Sequence, residues 1–139
     1  MTASAAKQTG LGLGIFSLAL GAAEVIAPRR IAEFLGLDPD GPASTTIRAF
    51  GMRELMAGAL LVRGPAFSTN VWNRVIGDGM DIYSLAMALR TTRKPGAVAG
   101  ALAFVGSITA LDIWTAKALD QETGRAFPND NGLTDMRKR

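Results

Sequence analysis

The chain has 139 residues, of which 48% are hydrophobic and 19% are charged, and its formal net charge is +3. It contains no Cys, which excludes disulfides and thiolate metal sites, and no His, which removes the commonest metal ligand and the usual base at neutral pH. We therefore predict no cofactor and no metal centre, and any chemistry must use carboxylates and arginine. The basic residues are scattered and form no aromatic-bearing basic face, so nucleic acid is not an expected partner.

The first apolar stretch, residues 9–27, is long enough to cross a bilayer and is interrupted only by Glu24. It ends at Pro28, Arg29 and Arg30, and paired cations of this kind are typical of the end of a span at the membrane surface. The acid and the cations stand where a cleaved signal peptide would carry small residues, so we expect the helix to be retained.

A short surface helix and a second span follow. Apolar residues alternate with charges and predict an amphipathic helix at the membrane interface, at Ile31, Phe34, Leu35 and Leu37. Residues 38–42 are rich in Asp, Pro and Gly and predict a turn. The second span covers residues 44–62, with Ser44 as the predicted N-cap.

The third span covers residues 71–89 and the fourth residues 96–119, with a polar tail at 120–139. Short connections and an even number of spans predict an all-α fold in one membrane domain, residues 1–119. The architecture is an antiparallel four-helix transmembrane bundle with both termini on one side. A soluble bundle is the rival, because ionisable residues interrupt the two middle helices. Residues 55–62, 82–89 and 97–111 carry no charge on any face, which favours lipid as their surroundings.

Helical spacing groups the polar residues. In the first helix, small residues and one acid form a stripe suited to close helix packing, at Gly10, Gly14, Ser17, Gly21 and Glu24. In the third helix, Arg74, Asp78 and Asp81 share a face, and the bundle interior is its expected direction. In the second helix, Glu54 lies on the face of the glycines, whereas Arg53 lies well round from it and must reach another helix.

Depth in the membrane sorts these residues into three layers. Glu24 and Arg48 are expected to pair near one surface, and Arg74 and Asp112 near the other. The central layer contains three acids with Arg53 as the only nearby base: Glu54, Asp78 and Asp81. Because a charge at the bilayer centre costs at least about 2.5 to 3.5 kcal/mol, we expect one of these acids to be protonated or a cation to be bound there.

The cluster has two interpretations. It is either a structural network that fixes helix register or a functional site, since ionisable groups inside a membrane often mark active centres or pathways. On the functional interpretation the candidate catalytic residues are Glu54, Asp78, Asp81 and Arg53. The candidate substrate-binding residues are Glu24, Arg48, Arg74 and Asp112.

Three segments resemble a known family. The sequence at 51–58, the acid-bearing segment 77–81 and an Asp late in the fourth span are similar to those of the DoxX-like group of small four-helix bacterial membrane proteins. The resemblance implies a multi-pass protein of the bacterial inner membrane and, for some relatives, association with redox enzymes or small-molecule metabolism. It transfers no catalytic residue.

Three function classes remain open. The first is an enzyme using acid–base chemistry on a lipophilic small molecule that enters from the lipid bilayer. The second is a non-catalytic membrane subunit or assembly factor with a structural polar core, whose glycine faces or cationic tail bind a membrane partner or a second copy. The third is a proton or ion pathway, which a single short bundle provides only as a homo-oligomer.

Overall fold

The computed structural model describes residues 2–123, and within this range the chain is entirely helical with no strand. Five α-helices follow one another: α1 Ala3–Ile26, α2 Pro28–Phe34, α3 Pro42–Arg63, α4 Ser68–Ala88 and α5 Pro95–Thr123. The all-α class is confirmed, and each of the four long helices covers one predicted apolar stretch. The predicted polar tail begins inside α5, which continues to Thr123, and its residues 124–139 lie outside the described part.

Prolines set where three of the helices begin. Pro28 and Pro42 occupy the first turn of α2 and α3, and α5 begins at Pro95. Proline is favoured there because its missing N–H would have no helical partner. The prediction of Ser44 as the N-cap of α3 is wrong. Since Pro42 already starts the helix, Gly41 is the N-cap, and the Ser44 hydroxyl donates instead to the Pro39 carbonyl at 2.6 Å.

The four long helices form two closely packed pairs, α1 with α3 and α4 with α5. Glycines allow the backbones of the α1/α3 pair to approach closely. A Cβ added to Gly21 would lie 2.7 Å from the carbonyl oxygen of Gly51, and one added to Gly58 would lie 2.8 Å from that of Gly14. The predicted small-residue packing face of the first helix is therefore confirmed.

The two pairs meet through apolar contacts at one end and polar contacts in the middle. The main apolar core lies toward the end at which the chain starts and contains Leu13, Leu61, Val71 and Leu119. Farther from that end, the rings of Phe16 and Phe104 lie 5.9 Å apart and join α1 to α5. The polar side chains occupy the remaining space between the pairs.

The short helix α2 closes the other end of the bundle. After α2 the chain turns at Gly36, whose φ of +68° is in the left-handed region that glycine adopts readily. The Gly36 carbonyl accepts a hydrogen bond from the Arg93 N–H at 2.9 Å, and the Thr92 hydroxyl donates to the Leu35 carbonyl. These bonds attach the end of α2 to the loop between α4 and α5, while α2 itself packs against α1 and α3.

Two of the described helices are long and apolar enough to cross a membrane, over residues 4–26 of α1 and 95–121 of α5. Their apolar side chains largely face outward: Ile15 is 58% exposed and Phe104 50% exposed. By length and composition, these two helices are candidate membrane spans.

Candidate functional site

Glu54 is the centre of a buried polar network between the two helix pairs. The residue is 2% exposed, on the face of α3 that points into the bundle. Its Oε2 accepts hydrogen bonds from the Ser17 hydroxyl at 2.6 Å and from Arg74 Nη1 at 3.0 Å. Its Oε1 accepts from Arg53 Nη2 at 2.7 Å. One carboxylate thus connects α1, α3 and α4.

Arg53 reaches sideways from α3 to α4, as predicted. Its Nη2 also donates to Asp81 Oδ2 at 2.8 Å, and its guanidinium carbon lies 5.4 Å from the centre of the Phe50 ring. The guanidinium rests against the backbone of α4 at Gly77, where an added Cβ would collide with it. The absence of a side chain at Gly77 therefore gives Arg53 its route to Asp81.

Arg74 links this network to α5. It is 2% exposed, and its Nε donates to Asp112 Oδ2 at 3.1 Å while its Nη1 bonds Glu54. The predicted approach of Arg74 to Asp112 is confirmed. The prediction that Arg53 is the only base of the central layer is wrong, because the long Arg74 side chain extends to Glu54 as well.

Asp78 and Asp112 are neighbouring buried acids with different partners. Asp78 is 4% exposed and Asp112 is fully buried. Asp78 Oδ2 and Asp112 Oδ1 are buried and accept no hydrogen bond from any donor group in residues 2–123. Arg74 binds the other oxygen of Asp112, whereas Asp78 forms no ion pair with any residue in this range.

We call these residues the polar cluster: Ser17, Arg53, Glu54, Arg74, Asp78, Asp81 and Asp112. Its four carboxyl groups outnumber its two guanidiniums. Asp81 has the guanidinium of Arg53 at hydrogen-bonding distance, whereas Asp78 has no arginine partner in residues 2–123. The cluster therefore places an acid with a counter-charge beside an acid without one.

A cavity of about 20 Å³ opens beside these acids, between the two helix pairs. Glu54, Asp78 and Asp81 line it and bring carboxylate oxygens within 4.8 Å of one another. The rest of the wall is apolar, from Phe16 and Leu20 of α1 and from Phe104, Val105 and Ile108 of α5. About 10 to 15 Å³ suffices for a water molecule, so the cavity admits a water, a small cation or the polar end of a larger molecule. Both oxygens of Glu54 already accept from arginines, which makes the three acids a poor cage for a metal ion.

Glu24 and Arg48 do not form an ion pair. The Glu24 side chain is directed toward the polar cluster, where Asp81, Glu54 and Arg53 are its charged neighbours, and its Cβ packs against Gly51. Arg48 is exposed and lines a groove on the outside of the bundle. The predicted Glu24–Arg48 pair is therefore wrong. Close packing against Gly51 holds Glu24 inside, while the long arginine side chain extends outward to water.

Sequence reasoning missed the role of Ser17, which it interpreted only as a packing residue. The available signal was its hydroxyl, the only one in a stripe of glycines that faces α3. It also missed the hydrogen bond from the Trp72 indole N–H to Asp120 Oδ2 at 2.9 Å, which joins α4 to the last turns of α5.

Comparison with known proteins finds no matching family model, no matching curated protein and no matching solved structure. Membership of the DoxX-like group stays a prediction. The chemistry of the polar cluster is thus the basis for a functional assignment.

Proposed function

We propose that this chain is a four-span membrane protein that performs acid–base chemistry on the polar end of a lipophilic small molecule. Asp78, which lies beside Asp112 and has no arginine partner in the described part of the chain, acts as the acid, and Asp81 acts as the base. Arg53 orients Asp81, while Arg74 and Glu54 hold the two helix pairs around the cavity. In accordance with the family resemblance, we place the protein in the bacterial inner membrane.

The distribution of charge on the two middle helices supports four spans. Within residues 52–87, all the acids and two of the three arginines belong to the polar cluster between the helix pairs, and the third, Arg63, lies at the end of α3. The outward faces are apolar, with Met56 67% exposed on α3 and Ile76 66% exposed on α4. The mean hydropathy of each helix includes these inward-facing charges, so it does not reflect the apolar surface that the helix presents outward. Lipid explains the exposed apolar side chains better than water does.

The single observation that carries the chemical proposal is the contrast between two neighbouring acids of one cavity. Asp78 has a second carboxyl and no guanidinium donor, whereas Asp81 has Arg53. We infer that this difference in partners lets Asp78 donate a proton while Asp81 accepts one, as concerted acid–base chemistry requires. Isomerisation, hydration or epoxide opening on a bound hydroxyl, carbonyl or epoxide needs no more than these two groups.

The apolar wall of the cavity supports a lipophilic substrate. Phe16 and Leu20 come from α1, and Phe104 and Ile108 from α5. These two helices belong to different pairs and are the two candidate membrane spans, so we place the seam between them in contact with the surrounding lipid. A molecule dissolved in the bilayer would insert its polar end along this seam and leave its apolar part against the aromatic rings.

Isotope incorporation tests the proposal without knowledge of the substrate. The purified protein in lipid nanodiscs is incubated with a total lipophilic extract of the host cell, in D2O and separately in water labelled with oxygen-18. We expect mass spectrometry to find one class of compound that gains deuterium or oxygen-18 with the wild-type chain. Asp78→Asn and Asp81→Asn should abolish this gain while the proteins stay folded, because Asn keeps the shape but cannot transfer the proton.

Asp40→Asn is the matched control, since Asp40 lies in the exposed turn before α3, away from the polar cluster. It should label the same compounds as the wild type. Equal labelling by all four proteins, or none with the wild type, contradicts an acid–base role for the two aspartates.

A structural polar core in a non-catalytic membrane subunit is the second candidate. The observation in its favour is that Glu54 alone accepts hydrogen bonds from three side chains on three helices. On this alternative, Asp78→Asn should leave the thermal stability unchanged or raised, because it relieves negative charge, and should change nothing else.

A further inference from the structure

A groove of about 610 Å³ lies on the outside of the bundle, where α1 turns into α2 and passes the first turns of α3. Three arginines line it, Arg29 and Arg30 from α2 and Arg48 from α3. Among the residues that the structure describes, Glu33 is the only acid in its wall. The groove is separate from the polar cluster, to which none of these side chains belongs.

Two of the three guanidiniums are available to a ligand. Arg29 forms an exposed ion pair with Asp40 at 2.7 Å. Arg30 and Arg48 make no ion pair with any residue between 2 and 123, and both are exposed. They belong to different helices, so an anion between them would be held from two sides. Guanidinium groups bind phosphate oxygens in a bidentate manner, which makes phosphate the anion that this arrangement favours.

The groove also has an apolar side. Ile26, the last residue of α1, lines it and is 81% exposed. In a membrane, the end of an apolar span marks the boundary between hydrocarbon and headgroups. A ligand seated here would meet cations at its phosphate and an aliphatic side chain immediately below. A soluble phosphorylated metabolite has no aliphatic chain to pack against Ile26. A phospholipid has both a phosphate and an aliphatic chain, and it presents them together at this depth.

We propose that this groove binds an anionic phospholipid, with the phosphate between Arg30 and Arg48 and the first acyl carbons against Ile26. The proposal rests on the membrane architecture proposed above, but not on the acid–base chemistry. A volume of about 300 to 1,000 Å³ is usual for small-molecule sites, so the groove has room for a headgroup.

Lipid retention tests the groove. The full-length protein is reconstituted in nanodiscs with equal phosphatidylglycerol and phosphatidylcholine, extracted into mild detergent, and the lipids that remain bound are counted by native mass spectrometry. The wild type should retain phosphatidylglycerol in preference. Each of Arg30→Gln and Arg48→Gln should reduce this preference about fivefold, as expected for loss of one arginine near an anionic lipid.

Arg63→Gln is the matched control, because Arg63 is exposed at the opposite end of α3 and outside the groove. It should retain phosphatidylglycerol like the wild type. Equal retention by Arg30→Gln and Arg48→Gln would overturn the proposal, and if Arg48→Gln does not fold, Arg30→Gln on the surface of α2 decides alone. Tighter binding of glycerol 3-phosphate than of the lipid would also overturn it, in favour of a soluble ligand. A chain that does not enter nanodiscs at all would refute the membrane architecture, and the groove proposal with it.

Discussion

The position of the Arg53 side chain depends on the lack of a side chain at Gly77 as well as on its hydrogen-bond partners. Its guanidinium donates to Glu54 and Asp81, and it lies against Gly77 where no side chain intervenes. Because Arg53 is a quarter exposed at the edge of the bundle, this contact fixes which way the long side chain folds. The glycine thus determines whether Asp81 has a counter-charge.

Gly77→Ala should therefore destabilise the protein although alanine is the better helix former. The new methyl group overlaps the guanidinium of Arg53, so either the ion pair with Asp81 or the spacing of α3 and α4 must change. We expect a loss of about 1 to 3 kcal/mol in the free energy of unfolding, as for other overpacked sites, measured by titration with sodium dodecyl sulfate from mild detergent.

Gly79→Ala on the same helix is the control for this substitution. A Cβ at Gly79 meets nothing within 4 Å, so the variant should be as stable as the wild type or more stable. If both alanines behave alike, the close contact between Gly77 and Arg53 does not exist in the folded protein.

The sequence identifies which acids and bases share a face but not how far each side chain reaches. Helical period correctly grouped Arg74, Asp78 and Asp81, since a spacing of three or four residues is sufficient for that. The prediction of three layers used only the position of each residue along its helix and neglected the length of its side chain. Arginine extends over more than one helical turn, so Arg74 joined the central acids.

At the scale of single elements, α1 and α3 pack by backbone contact rather than by interlocking large side chains. The carbonyl groups of Gly14 and Gly51 lie against glycines of the opposite helix. Such contacts suit a membrane, where apolar side chains gain little by leaving lipid and close van der Waals packing provides the attraction. They also bring Ser17 within reach of Glu54.

Gly21→Ala should separate α1 from α3 and disturb the polar cluster from a distance. Its Cβ would lie 2.7 Å from a carbonyl oxygen and 2.8 Å from the backbone nitrogen of Leu55, and neither atom is free to move alone. We expect a lower thermal unfolding temperature in detergent, with a loss of about 1 to 3 kcal/mol.

Gly12→Ala is the corresponding control on α1, since a Cβ there meets nothing within 4 Å. A Gly21→Ala variant with the thermal stability of Gly12→Ala would contradict the backbone contact between the two helices.

The helix α2 could be predicted from the local sequence, but its attachment to the rest of the bundle could not. Its alternation of apolar and charged residues predicted a surface helix, and a short helix is present. Ala32 is fully buried and Leu35 is 7% exposed, whereas Phe34 is 65% exposed. Its hydrogen bonds to Thr92 and Arg93 join residues almost sixty positions apart, and no local pattern specifies such a partner.

For the whole molecule, the arrangement of two helix pairs explains why the polar cluster lies where it does. Each pair is held by its own close packing, and the interface between them combines an apolar core near one end with charged contacts in the middle. The proposed entry of a substrate from the side uses this seam, and it needs both pairs to lie in the membrane together.

The number of spans is the last prediction, and labelling of single cysteines decides it. The chain has no native Cys, so each variant carries one reactive thiol. Asp40→Cys lies between α2 and α3, Ala66→Cys between α3 and α4, and Thr91→Cys between α4 and α5. With four spans, a membrane-impermeant maleimide should reach Asp40→Cys and Thr91→Cys from one side of sealed vesicles and Ala66→Cys only from the other. With spans at α1 and α5 alone, α3 and α4 would lie outside the bilayer and all three thiols would react from the same side.

Parallel reactions in detergent, where every thiol should label, control for burial. Reaction of Ala66→Cys together with the other two would therefore refute the four-span bundle and leave the two apolar helices as the only spans among the described residues.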